Sequence, residues 1–240
     1  MRASCSRLRE ISHPDERRPP FNEPDHHLSI TVFIADDHAV IREALAQLLT
    51  QSGGFVVVGT AAAGRETVEQ VVKQKPDVVV LDISMPGMNG IEAARQIRDR
   101  VPDSRIVMLT MHSTSHHVFH ALEAGAKAYI LKESAGSEIV AAIRTVLAGK
   151  RFVSPELAEM VTEHVARGPR ASPIDSLSDR EREILQLVAE GNSSVRIGAL
   201  LRLSPKTVDT YRSRLMQKLS LPEVTALVKF AIQHGITTLQ

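Results

Sequence analysis

The chain has 240 residues, 43% of them apolar, a formal net charge of +1 and a single cysteine. This length exceeds the usual single-domain range of roughly 100–200 residues and predicts two domains. The near-neutral balance excludes a uniformly basic chain and confines any nucleic-acid surface to a local patch. The lone Cys5 excludes an internal disulfide and points to a reducing, cytoplasmic setting.

Residues 1–28 mix charge and proline (Arg17, Arg18, Pro19, Pro20) with few apolar groups and read as a disordered tail, without the apolar core of a signal peptide. No apolar run approaches the roughly 18 residues of a membrane span, so no membrane contact is expected. From Ile30, short β-branched runs alternate with amphipathic helical stretches: Ile30–Ala35, Phe55–Thr60, Asp77–Asp82, Arg105–Thr110 and Lys127–Leu131. Five βα units over 29–149 predict a doubly wound α/β domain with a five-stranded parallel sheet. The continuously apolar Val78-Val79-Val80-Leu81 fits a central strand covered on both faces. Residues 150–174 read as a linker with a helix near 155–166. Residues 175–240 carry a 3.6 period only, predicting four helices near 179–190, 194–201, 205–218 and 223–234. Ser178 with Glu181 has the capping-box pattern, Gly191 suits a helix stop, and Ser204-Pro205 suits a helix start.

In an open parallel sheet, ligands sit beyond the carboxyl ends of the strands, and there this chain places Asp36, Asp37, Asp82, Thr110 and Lys132. If the first and third strands are neighbours, three carboxylates converge, at a cost that a cation relieves. Mg²⁺ prefers oxygen ligands and phosphate oxygens, so the pocket suits phosphoryl transfer, with Asp82 as the nucleophilic acceptor.

The segments Ala35-Asp-Asp-His38, Leu81-Asp-Ile-Ser-Met-Pro-Gly-Met-Asn-Gly90, Val107-Met-Leu-Thr110 and Tyr129-Ile-Leu-Lys132 resemble the flavodoxin-like receiver domain of two-component response regulators. The resemblance implies that Asp36 and Asp37, with Asp82 and the Ser84 backbone, hold magnesium. It also implies that Asp82 takes a phosphoryl group from a sensor histidine kinase, that Lys132 binds its oxygens, and that Thr110 and Tyr129 form a switch pair, Tyr129 turning inward.

In the second domain, the spacing of the third helix puts Val208, Tyr211, Leu215 and Leu219 on one face and Lys206, Thr210, Ser213 and Gln217 opposite. Residues 204–218 hold Lys206, Arg212, Arg214 and Lys218 against the acid Asp209 alone, which supplies the local basic patch. Leu177-Ser-Asp-Arg-Glu-Arg-Glu-Ile-Leu185, Ala189-Glu-Gly191, Leu203-Ser-Pro-Lys-Thr-Val208 and Lys218-Leu219 resemble the LuxR-type helix-turn-helix, and the chain from residue 30 resembles the NarL/FixJ family. That resemblance implies a homodimer on double-stranded DNA. Asp209, Thr210 and Ser213 would read bases, Lys206, Thr207, Arg212 and Arg214 would meet the backbone, and Val224, Leu227 and Val228 would make dimer contacts. Two departures stand out. Ser194-Val-Arg-Ile-Gly198 replaces a common Lys-Glu-Ile-Ala, and the acid Asp209 suits a cytosine amino group better than a phosphate.

Two rival functions remain at this level: DNA binding without phosphorylation, and a magnesium-dependent phosphohydrolase using Asp82, which leaves residues 177–240 without a role. Gly59-Thr-Ala-Ala-Ala-Gly64-Arg-Glu-Thr67 approaches a phosphate loop, but Arg65 stands where lysine belongs and the hydroxyl comes one position late. His116 and His120 are spaced to put two imidazoles on one helix face for a metal, but His112, His116, His117 and His120 read instead as a polar helix surface; Ser84 and His112 read as flanking the acceptor, and Cys5 and His13 have no assigned role.

Overall fold

The computed structural model describes residues 29–111, 115–158, 162, 173–234 and 236–237. The tail, Cys5, His13, His112 and much of the helix expected at 155–166 lie outside them, although 155–158 are helical. The first domain runs β1 (Ile30–Ala35), α1 (Ala39–Gln51), β2 (Phe55–Ala61), α2 (Gly64–Gln74), β3 (Val78–Asp82), α3 (Gly90–Arg100), β4 (Arg105–Thr110), α4 (Ser115–Glu123), β5 (Ala128–Leu131), α5 (Ala135–Leu147) and β6 (Phe152–Val153). Its strands are parallel in the order β2-β1-β3-β4-β5-β6, so the chain direction across the sheet reverses at the β1/β3 junction.

Successive strand residues point to opposite faces, and both faces are buried. Val32, Ile34, Val80 and Leu109 pack under α1 and α5 with Leu49, Ile139 and Ile143. Phe33, Val79, Leu81 and Met108 pack under α2, α3 and α4 with Val71, Ile97 and Ala121. This two-sided burial explains why β3 has no polar residue before Asp82.

The sheet has six strands rather than the expected five. β6 pairs with β5 through Ala128↔Phe152 and Tyr129↔Val153, and Leu157, fully buried, joins the receiver core. The expected linker therefore begins as sheet. Two edge residues are too few to display a period of two, so pattern alone had no signal for them. Ser154 fixes this corner: its amide donates to Tyr129 O at 3.0 Å, and its hydroxyl donates to Glu138 and accepts from Leu131 N.

The second domain holds α6 (Asp179–Ala189), α7 (Ser194–Leu201), α8 (Pro205–Lys218) and α9 (Val224–Gln233). They enclose Ile184, Leu187, Ile197, Leu201, Val208, Leu215, Leu227 and Phe230. The capping box is formed: Ser178 Oγ accepts from Glu181 N, and Glu181 Oε2 accepts from Ser178 N at 2.8 Å. Gly198 has a packing reason, since a Cβ there would lie 2.6 Å from Leu203 O in the tight α7–α8 turn.

Ser178→Ala removes one partner of the box and is expected to cost about 1 kcal/mol. Urea unfolding followed by circular dichroism measures it.

Candidate functional site

Each pocket residue follows from the strand that ends beside it. Ala35 is in register with Leu81, so Asp36 and Asp82 emerge side by side, and Asp82 is paired with Leu109, which brings Thr110 next to it. Lys132 follows β5, its amide donating to Thr110 O at 2.8 Å. Its ammonium, 2% exposed, lies 2.8 Å from Asp36 Oδ2 and 3.0 Å from Asp82 Oδ2. Arg42 donates to Asp36 O at 2.5 Å, and the His38 amide to Asp36 Oδ1 at 2.8 Å. Gly90 closes the floor: a Cβ there would sit 1.9 Å from Asp82 O, so α3 can approach the acceptor strand only with glycine at this position.

Burial pushes the Asp82 carboxyl up to about 6; the Lys132 charge opposes this, the Asp36 charge adds to it, and the nearby Ser84 backbone amide lowers it. Donor atoms of Asp36, Asp37, His38 and Asp82 lie within 4.8 Å of one another, and the buried Asp82 Oδ1 has no hydrogen-bond partner. A cluster of oxygen donors with an orphaned buried acceptor fits a hard divalent cation. His38 escaped the sequence reading. Its Nδ1 lies 2.6 Å from Asp37 Oδ1 and 3.2 Å from Asp36 Oδ1, and its position directly after the acidic pair was the available signal. Tyr129 is fully buried, and burial raises its phenol while the Thr110 contact lowers it. The inward position expected to follow phosphorylation is therefore already present.

The loop leaving Asp82 is held by the second domain. Gln186 of α6, 2% exposed, accepts from Asn89 N at 2.8 Å and donates to Met85 O at 2.9 Å. Glu190 accepts from Gly87 N at 3.0 Å, and Asn89 Nδ2 donates to Ile236 O at 3.2 Å. Two ion pairs flank these bonds: Arg182 with Glu92 of α3 at 2.8 Å, and Arg65 of α2 with Glu183. Glu92 is nearly buried, and burial raises its carboxyl against the lowering by Arg182. Sequence reasoning missed these residues because each reads as an ordinary solvated charge on its own helix. Arg65, in the imperfect phosphate loop, has its partner here. His120 also differs from expectation: it is 4% exposed rather than on a polar surface, and lines a cavity that Arg182 and His234 of the second domain also line.

A cleft of about 440 Å³ separates the pocket mouth from the helical domain, lined by Asp37, Ser84, Gln186, Arg196 and Val228 among others. The α8 face that carries Lys206, Asp209, Thr210, Ser213 and Arg214 is open to solvent, with Thr207 and Arg212 at its margin. Thr210 and Ser213 donate to Lys206 O and Asp209 O, which leaves their oxygen lone pairs outward as acceptors. Thr207 meets Ser204 at the helix start, and Lys218 pairs with Glu181 at 2.8 Å, which withdraws it from the basic patch. Leu227 is fully buried in its own domain's core, so of the three residues expected at a dimer contact only Val224 and Val228 are partly accessible.

A phosphoacceptor-type pocket on a parallel sheet, followed by a helix-turn-helix with an open basic helix, defines a signal receiver joined to a DNA-binding module. Residues 32–144 match the family described as response regulator receiver domain, and residues 175–231 the luxR family of bacterial regulatory proteins. The response regulator UvrY of Escherichia coli is 36% identical over 208 residues, covering 86% of this chain and 95% of that protein. Among solved structures, RcsB of Salmonella enterica serovar Typhimurium, bound to a promoter in the presence of the phosphomimetic BeF3−, matches with a TM-score of 0.57 at 26% identity, over 87% of this chain and 100% of that one. A structure of two RcsB dimers bound to two parallel DNAs matches with a TM-score of 0.55 at 25% identity, over 86% and 98%. The chain belongs to the NarL/FixJ family of two-component response regulators, which are DNA-binding transcription regulators rather than enzymes.

Native Asp82 keeps its proton up to about pH 6 whereas the unfolded chain releases it near 3.8. Without divalent cation, folding stability therefore falls as pH rises across this window, by roughly 2–3 kcal/mol. Asp82→Asn is expected to lack that component, as read from urea unfolding at pH 4 and 7.

Proposed function

We propose that this regulator is switched by phosphoryl transfer from a sensor histidine kinase to Asp82, and that the change frees the helical domain to bind double-stranded DNA as a homodimer. In the transfer, the P–N bond of the phosphohistidine breaks as a bond from an Asp82 carboxylate oxygen to phosphorus forms. Asp36, Asp37, Asp82 and the Ser84 backbone would hold Mg²⁺, which when bound neutralises phosphoryl charge. Lys132, midway between Asp36 and Asp82, moves onto the added phosphoryl oxygens, and the Thr110 hydroxyl follows. The added charge of about −1.5 to −2 redistributes these contacts and pulls on the loop beyond Asp82.

The observation that carries this reading is the direct bonding of that same loop, Met85 to Asn89, to Gln186 of α6 and to Glu190 at its C-terminal end. A shift of the loop by one hydrogen-bond length breaks these bonds and exposes the Arg182–Glu92 pair to water. The DNA and dimer assignments draw on the RcsB complexes and on the open basic face of α8. No described helix is long and apolar enough to cross a membrane, and a DNA partner supports a cytoplasmic setting. A second reading, DNA binding without phosphorylation, has one observation in its favour: Tyr129 is buried already.

The test is binding to a genomic fragment library, at fixed salt, with and without Mg²⁺ and a small phosphodonor. Wild type is expected to tighten with the donor and Asp82→Ala to stay unchanged, while Gln186→Ala tightens without it, by roughly 5- to 150-fold. Equal binding by wild type and Asp82→Ala under all conditions refutes the switch and favours the second reading.

A further inference from the structure

Ser194, the first residue of α7, sits under the recognition helix and bridges two of its side chains. Its hydroxyl donates to Asp209 Oδ1 at 2.6 Å and accepts from Arg212 Nη1 at 2.8 Å. Asp209 and Arg212 are three residues apart on α8, with 4.0 Å between Nη1 and Oδ1, so the three groups close a triangle across the α7–α8 crossing. A hydroxyl has one proton and two lone pairs, and it satisfies a carboxylate and a guanidinium together only in this sense. Alanine at 194 makes neither bond.

Two consequences follow for the reading face. The Asp209 side chain is 63% exposed, yet one of its oxygens is committed, so its other oxygen is presented outward from a fixed orientation. Arg212 is 25% exposed and turns Nη1 inward to Ser194, which leaves only the rest of its guanidinium to follow a phosphate backbone. Its charge also offsets that of Asp209, which by itself repels DNA.

We propose that Ser194 and Arg212 are positioning residues that aim the outer carboxylate oxygen of Asp209 at a base-edge amino donor, selecting cytosine at one position of each half-site. Cytosine presents its N4 amino group in the major groove, and a carboxylate can only accept. Arg212 is thereby moved from backbone contact to specificity. The proposal rests on α8 being the DNA-reading helix.

The experiment is selection of bound duplexes from a randomised library by the full chain, at fixed salt and with phosphodonor, comparing wild type with Ser194→Ala, Ser194→Thr and Asp209→Asn. Wild type is expected to recover a site with a strongly preferred cytosine. Asp209→Asn changes that preference toward adenine, since an amide both donates and accepts. Ser194→Ala flattens it by roughly tenfold at the same position, and Ser194→Thr, which keeps the hydroxyl, retains it. Thermal unfolding of each variant separates this from a folding defect. The proposal is overturned if Ser194→Ala keeps the wild-type preference there, if it weakens all positions alike, or if Asp209→Asn changes nothing. A wild type that recovers no sequence at all removes the DNA-reading assignment itself, and this proposal with it.

Discussion

Two buried carboxylates and one ammonium share a nearly dry pocket at the ends of β1, β3 and β5, with the partly exposed Asp37 at its mouth, and most of the first domain is arranged to make that tolerable. Asp36 and Asp82 are 0% and 1% exposed, and Lys132 stands within 3.0 Å of both. A buried carboxylate without compensation titrates out of its charged form, and the weakened acidity of Asp82 is what remains of that conflict. The pocket is thus stable in more than one charge arrangement, with one cation serving two anions. A group that adds negative charge at Asp82 does not meet a saturated site. It meets a lysine already divided between partners.

That imbalance matters because of what is fastened to the acceptor strand. Gly90 lets α3 start against Asp82 O, and Asn89 caps α3 by accepting from Glu92 N at 2.9 Å while its own amide is taken by Gln186 of the other domain. One residue therefore belongs to the acceptor loop, to the helix that follows and to the domain contact. The bonds at this junction are polar and few. Such contacts contribute modest net stability when made and are costly when one partner is lost, which suits a junction that separates as a unit.

The same economy recurs in the helical domain. Lys218 ties α8 to α6 through Glu181, where hydrogen bonds from Lys218 and Ser178 outweigh burial and hold the carboxyl below its usual range. Charged residues that a helical wheel assigns to DNA are thereby divided between scaffold and surface. Lys206, Arg214 and Lys218 are exposed, but Lys218, like the partly buried Arg212, is engaged within the domain.

The order of elements, the parallel sheet, the four helices and the identities of Asp36, Asp37, Asp82, Thr110 and Lys132 were legible in the chain. They follow from local rules: apolar period, capping residues, and polar groups at strand ends. Three things were settled only by tertiary structure. β6 exists because β5 has a free edge to pair with, which two residues cannot announce. Leu227 is core because α9 packs on α6. Gln186, Arg182, Glu92 and Ser194 gain their roles from partners 90 or more positions away, or across a helix crossing, as Met85–Gln186 and Ser194–Asp209 illustrate. A side chain's hydrogen-bonding capacity is written in the sequence, but its partner is fixed by the packing of surfaces that the sequence specifies only collectively.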